Sequence, residues 1–156
     1  PMQLSRFTDY SLRVLFYAAI NNDRLTTLSE IAQFYDISIE HLRKVVHALS
    51  KSGYLKTFRG KNGGIQLGKD PSDINIGHVV AQTEGVRPII DCEHHACRLT
   101  NFCTLQPILN KAKNAFMGVL NEYTLDDLIE NKSMRQGLIG SDAAVKDRSP
   151  KVNTEQ

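Results

Sequence analysis

Residues 27–67, TLSEIAQFYDISIEHLRKVVHALSKSGYLKTFRGKNGGIQL, contain the pattern that decides the fold. Thr27 begins a capping box for one short helix, and Ser38 caps a second helix after a tight turn. After Gly53 the helical spacing gives way to two short strands around the glycine-rich stretch 60–64. Two helices joined by a turn and followed by a basic hairpin predict a mainly α fold, a winged helix-turn-helix with a small β-hairpin wing.

The hairpin is predicted from residues 54–59 and 65–67, which have the composition of strands. Asn62-Gly63 between them is typical of a two-residue hairpin turn, in which both residues adopt positive φ. We therefore expect the chain to reverse direction at these two residues.

Further helices flank this motif. Residues 9–21 predict a first helix with Thr8 as its N-cap. Residues 74–83 predict a short connecting helix closed by Gly85. Residues 86–103 have no regular period, and we interpret them as a loop.

A long helix is predicted over residues 104–123, where the apolar pattern is the most regular in the chain. Its stripe comprises Leu105, Ile108 or Leu109, Ala112, Ala115 or Phe116, Val119 or Leu120, and Tyr123. The spacings of three and four resemble a coiled-coil seam, and the winged helix is complete without this segment. We interpret it as the dimerisation helix of a homodimer; the alternative is a helix packed on its own domain.

The remaining residues complete the domain organisation. Thr124 caps a last short helix through Ile129, and beyond Asn131 the low apolar content predicts disorder. The predicted parts are the winged helix-turn-helix at 2–70, the connecting helix and cysteine loop at 71–103, the dimerisation and short terminal helices at 104–130, and a disordered tail at 131–156.

Charge is distributed unevenly along the 156 residues. Residues 1–69 carry ten Lys and Arg against five Asp and Glu, whereas the rest of the chain carries nine against twelve. A basic front half suits a polyanion such as nucleic acid, although an uneven solvated surface is the alternative. No apolar run reaches the length of a membrane span, and no leader pattern precedes the first helix, so we expect a cytoplasmic protein without a membrane partner.

The second helix of the motif is the candidate recognition helix for double-stranded DNA, because its N-terminal part enters the major groove in such folds. The expected DNA-binding residues are Ser38, Glu40, His41, Arg43, Lys44 and Lys51 on this helix, and Arg59, Lys61 and Asn62 on the wing. Their side chains can bind phosphates or base edges. The alternative is that they are ordinary charges on a solvated face.

Three cysteines, Cys92, Cys97 and Cys103, form the pattern C-x4-C-x5-C within the loop. An odd, clustered set argues against a disulfide framework and for metal or redox chemistry. Soft thiolates with these spacings favour an iron–sulfur cluster, with a four-iron cluster favoured over a two-iron one. Zinc held by three Cys and one His, or unligated thiols, are alternatives.

The fourth ligand of such a cluster is open from spacing alone. Asp91, His94 and His95 are nearby candidates, as is a carboxylate elsewhere. An enzyme that uses a cysteine nucleophile with one of these histidines is disfavoured, because adjacent loop residues seldom have the required geometry.

Three segments resemble a known family: FTDYSLRVL at 7–15, SGYLKTFRGKNGGIQLGK at 52–69 and CEHHACRLTNFC at 92–103. They are similar to the NsrR branch of the iron–sulfur winged-helix repressors, whose other well-known branch is IscR. The resemblance implies a homodimer on a palindromic operator that represses genes of nitric-oxide defence. The alternatives are a regulator of iron–sulfur assembly or a general redox-responsive regulator of the same fold, or a zinc-stabilised DNA-binding module without sensing.

The resemblance also implies a ligand set. The three cysteines would hold the cluster, and an aspartate of the partner subunit's first helix, matching Asp9, would be the fourth ligand. IscR-like proteins instead use a histidine shortly after the third cysteine, but residues 104–108 read TLQPI here. We hypothesise that nitric oxide attacks the iron that carries the oxygen ligand, which is harder and more labile than thiolate, and so changes the spacing of the two recognition helices.

Overall fold

A computed structural model describes residues 3–85, 88–92, 97–100 and 102–139. It confirms a mainly helical fold with one two-stranded antiparallel sheet. The elements are α1 Arg6–Ile20, α2 Leu28–Tyr35, α3 Ile39–Lys51, β1 Leu55–Phe58, β2 Gly64–Leu67, a 3-10 turn Pro71–Asp73, α4 Ile76–Glu84, α5 Leu105–Leu120, α6 Leu125–Ile129 and α7 Lys132–Ile139.

Helix α1 begins earlier than the sequence predicts. Ser5 is its N-cap, with a side chain that accepts from the Thr8 amide. Thr8, the predicted cap, is fully buried, and its hydroxyl lies 2.8 Å from that of Thr83 on α4. The prediction of Thr8 was wrong because a hydroxyl one turn inside the helix is satisfied by a distant residue, which local patterns do not reveal.

Helices α2 and α3 form the predicted helix-turn-helix. The Thr27 capping box is present, and Ser38 caps α3. The turn between them places Asp36 in the left-handed region at φ 55°. A row of apolar side chains on α3 lies in the core: Leu42, Val45, Val46 and Leu49. Because residues three and four apart share one face of a helix, the polar residues between them are turned outward.

The hairpin forms where expected, but its turn differs. Leu55 pairs with Leu67 and Phe58 with Gly64. Within the turn the positive φ is at Gly60, at 103°, and not at Asn62 or Gly63, so that expectation was wrong. Gly63 instead permits a close approach, since a Cβ there would lie 2.1 Å from the Phe58 carbonyl oxygen, and its amide donates to Gly60 over 3.0 Å.

Helix α5 is long, as predicted, but it ends at Leu120 rather than Tyr123. Beyond it the chain turns to make a bridge between Asn75 and Thr124, and the Ile76 amide donates to the Tyr123 carbonyl over 3.0 Å. Helix α5 has no buried residue. Its outward side chains, Leu105, Ile108, Phe116 and Val119, together with Tyr123, form the α5 stripe.

Helix α7 lies in a segment for which the sequence predicts disorder. Leu138 is only 6% exposed, and α7 packs against α1 and α6. Met134 packs against the core from the same side, so two apolar residues four apart are enough to dock a short helix. The prediction of disorder was therefore wrong for residues 132–139. The part at 140–156 lies outside the described residues.

Candidate DNA interface and cysteine site

The predicted recognition surface lies on the outer side of α3. Ser38, Glu40, His41, Arg43 and Lys44 are all exposed, opposite the buried row of the same helix. Ser38 is in part occupied as the helix cap, because its hydroxyl accepts from the His41 amide. The structure thus brings these five residues together at the start of one helix, where a major groove can be contacted.

Arg43 and Glu40 form an ion pair on this surface. Both side chains are more than half exposed, and ion pairs of this kind contribute little to stability. Arg43 can therefore leave Glu40 for a guanine edge or a phosphate at small cost. Lys51, at the other end of α3, is also exposed, and its contact with a phosphate stays a prediction.

The wing presents the expected basic tip. Arg59, Lys61 and Asn62 are exposed around Gly60. Sequence reasoning missed Lys56, which is exposed on β1. The alternation of side chains along a strand could have predicted it. Leu55 faces the core, so Lys56 faces outward and adds its charge to that of the basic tip.

Asp9 is held by a bidentate ion pair within its own helix. Its two carboxylate oxygens accept from the Arg13 guanidinium at 2.9 Å and 3.1 Å. Both side chains are nearly half exposed, so Asp9 remains accessible. It also borders an open concavity of about 490 Å3 together with Gln3, Leu4, Arg6 and Leu12.

Arg13 connects this carboxylate with the recognition helix. Its guanidinium lies 5.8 Å from the centre of the Tyr10 ring and 5.7 Å from that of Tyr35. The Tyr10 ring meets the His41 ring edge-on, with centroids 5.6 Å apart. Tyr35 donates from its hydroxyl to the Arg13 carbonyl over 2.8 Å, and burial raises the pKa of that hydroxyl, which keeps it a donor. The contact between Tyr10 and His41 could not be predicted from the sequence, because it depends on how α1 packs against α3.

The three cysteines are free thiols in the described part of the loop and at its end. Cys92 and Cys103 are half-buried and Cys97 is exposed. Within the described residues no three His, Cys, Asp or Glu side chains are grouped as a metal site. Asp91 is exposed, whereas His94 and His95 lie outside the described residues. By its chemistry the donor set fits an iron–sulfur cluster, since three accessible thiols offer soft ligands and Asp9 an accessible oxygen.

No helix in the described part of the chain is both long and apolar enough to cross a bilayer. A family model described as "Rrf2: Iron-dependent Transcriptional regulator" matches residues 4–131. The chain is similar to the HTH-type transcriptional regulators NsrR of Bacillus licheniformis and Bacillus subtilis, each at 47% identity over 84% of this chain. The match covers 94% and 92% of those proteins respectively.

Among solved structures, the chain is similar to IscR of T. potens, with a TM-score of 0.68 and 25% identity. That match covers 83% of this chain and 87% of the other. CymR, the global cysteine regulator of B. subtilis, matches with a TM-score of 0.64 and 26% identity, over 83% and 98%. These relatives confirm the winged-helix fold and the expectation of a DNA-binding regulator rather than an enzyme. The chain belongs to the Rrf2 family of transcriptional regulators and is of the NsrR type.

Proposed function

We propose that this regulator is a dimeric repressor of a palindromic operator that senses nitric oxide through an iron–sulfur cluster. The observation that carries the proposal is the series of contacts from Asp9 through Arg13 and Tyr10 to His41. A carboxylate suited to bind metal is thereby linked, over short distances, to the helix that reads DNA.

The proposed cluster ligands are Cys92, Cys97 and Cys103 of one subunit and Asp9 of the partner subunit. When bound, the cluster supplies an iron atom with an exchangeable oxygen ligand, at which nitric oxide can bind. A four-iron cluster is the form we expect. The similarity to relatives named NsrR and the accessibility of all four side chains support this assignment.

Dimerisation is assigned to the α5 stripe. A continuous apolar surface of this kind is uncommon on a monomer and typical of a protein interface. Because the cysteine loop leads directly into α5, a second α5 on the stripe would bring the loop of one subunit near the surface of the other. Two recognition helices related by a two-fold axis would then match a palindromic site.

Arg13 is the residue that couples the ligand to the reading helix. Both oxygens of Asp9 accept from Arg13 here, so a metal ion bound by Asp9 would compete with the guanidinium for the same carboxylate. A guanidinium released from its carboxylate is free to shift over the Tyr10 ring, against which His41 packs. Cluster ligation and the position of His41 would therefore change together.

The test begins with protein purified without oxygen, in which iron and acid-labile sulfide are counted and visible absorption is followed during nitric-oxide addition. We expect iron and sulfide in equal amounts, and loss of both the absorption and operator binding on addition. Asp9→Ala should abolish the response, whereas Asp23→Ala, an exposed turn residue away from Arg13, should retain it. Protein that contains only zinc, or that binds DNA identically with and without iron and sulfide, would contradict the proposal.

A further inference from the structure

Phe58 is an isolated apolar side chain on the wing. From Ser5 to Gly85, a stretch described without gaps, it is the only large hydrophobic residue that is exposed, at 46%. Other exposed apolar residues lie mainly in the cysteine loop and on the α5 stripe, the proposed sites of the cluster and of the dimer interface. A second subunit on α5 does not explain an aromatic ring on the hairpin.

The hairpin leaves this ring without a cross-strand neighbour. Phe58 pairs with Gly64, and a Cβ at Gly64 would lie 2.6 Å from the Thr26 carbonyl oxygen. The bridge between Thr26 and Ile65 therefore excludes any side chain opposite the phenyl ring. Phe58 is 46% exposed, and the close approach of the chain at Leu25 and Thr26 requires a glycine at the paired position.

Phe58 has basic neighbours in the sequence and lies on a hairpin that is only two strands wide. Lys56 shares its face of β1, since strand residues two apart point the same way, and Arg59 is the next residue toward the tip. Among the described residues the sheet has two strands, and the bridge from Thr26 lies on the β2 side, so the outer edge of β1 has no strand beside it. An aromatic ring with one basic residue on its face of the strand and another next to it along the chain suits a groove with phosphates at its edges, into which an apolar side chain can insert.

We propose that Phe58 is a specificity-determining residue that inserts into the minor groove of the operator beside the major-groove site of α3. An apolar wedge favours steps that unstack easily, which are pyrimidine–purine steps such as TA. The wing thereby selects the flanking sequence by its deformability, while Lys56 and Arg59 bind the phosphates without regard to sequence. This inference rests on DNA binding but not on the cluster.

The test uses the tightest duplex that the wild-type protein selects from a random pool. A second duplex replaces the pyrimidine–purine steps under the wing with GC steps. Phe58→Ala should weaken binding about tenfold on the first duplex and little on the second, with an unchanged dependence on salt, because no charge is lost. Phe58→Leu, which keeps an apolar wedge, should retain most of the preference.

Lys56→Ala is the matched control on the same face of the strand. It should weaken binding equally on both duplexes and reduce the salt dependence. A Phe58→Ala variant that keeps the wild-type preference, or that loses affinity equally on both duplexes, would overturn the proposal. The comparison is made within one cofactor state, so its failure is distinct from a failure of nitric-oxide sensing.

Discussion

Two regions of this chain are built in opposite ways. The reading head, residues 6–85, buries its large apolar side chains around α1, α3 and α4 and leaves only Phe58 exposed among them. The sensor segment, residues 88–123, has no buried residue among those described, and Phe102 within it is 81% exposed. The reading head is closed within one chain, with α6 and α7 completing its core. The sensor segment leaves most of its apolar side chains uncovered, although Met117 and Leu120 pack against the core.

This difference indicates which region needs a bound partner or group in order to be well ordered. A fold closed on its own core needs neither partner nor cofactor to be formed. A segment whose apolar side chains face outward gains its order by association, either with a second chain or with a bound group. In the proposed function, the three cysteines that hold the cluster lie in the sensor segment, whereas Asp9 and the DNA-binding residues lie in the reading head.

Substitutions on the α5 stripe should have the largest effect, because they should weaken the proposed dimer while the reading head stays folded. Ile108→Ser together with Phe116→Ser removes two large apolar side chains from the proposed interface, each of which contributes about 1.5–3 kcal/mol when buried. We expect the dissociation constant of the dimer to rise on the order of a hundredfold or more, measured by sedimentation. The free energy of unfolding of the reading head should stay unchanged.

Leu42→Ala provides the reciprocal change. Leu42 is fully buried in the reading head, so its truncation should lower the free energy of unfolding by about 2–5 kcal/mol in denaturant titrations. Equal effects of the Leu42 and stripe variants on unfolding would mean that the two regions are one cooperative core. That result would remove the distinction between them.

Gly77→Ala tests the contact between α4 of the reading head and the end of α5 in the sensor segment. A Cβ at Gly77 would lie 1.7 Å from the Asn121 side-chain oxygen and 2.8 Å from its backbone nitrogen, so α4 and the end of α5 would have to separate. We expect a loss of about 1–3 kcal/mol in thermal unfolding. Gly118→Ala is the matched control, because that position on α5 faces open space and the helix should be unharmed.

A small effect of pH is expected within the reading head. Burial raises the pKa of Glu30, but hydrogen bonds from the Thr27 amide, Arg24 and Tyr17 outweigh it and hold that pKa below its ordinary 4.5. A lowered folded pKa gives stability that is present above the unfolded pKa and lost as pH falls through the folded one. The free energy of unfolding should therefore decrease between about pH 5 and pH 3, and Glu30→Gln should reduce that decrease by less than about 1 kcal/mol. A decrease of the same size in Glu30→Gln would exclude this carboxylate as its source.

The reading head could be predicted from the sequence to a large extent because its signals are local. Thr27, Ser38 and Gly53 act on residues within one turn of themselves, and each lies where its pattern indicates. The predictions were wrong where contacts between residues distant in the sequence determine the structure. Thr8 faces Thr83 across two helices, and Leu138 is buried only because α7 meets α1 and α6.

For the candidate site, the sequence predicts which residues belong to it but not how they contact one another. The exposure of the recognition face follows from the helical period, and so does the choice of Arg43 and Lys44. The contact of Tyr10 with His41 does not follow, because it depends on how α1 crosses α3, whereas Asp9 and Arg13 are four residues apart on one helix. The ligand set across two subunits stays a prediction, since one chain cannot complete it.

Mixed dimers test the central proposal, a cluster shared between subunits, most directly. Asp9→Ala and Cys97→Ser chains are purified separately and together without oxygen, and their retained iron is measured after exposure to a chelator. If Asp9 acts across the interface, each variant alone loses its iron, whereas the mixed dimer contains one intact site and keeps half of the wild-type amount. A mixed dimer that retains no more iron than the two variants alone, or an Asp9→Ala dimer that retains all of it, would contradict the shared site.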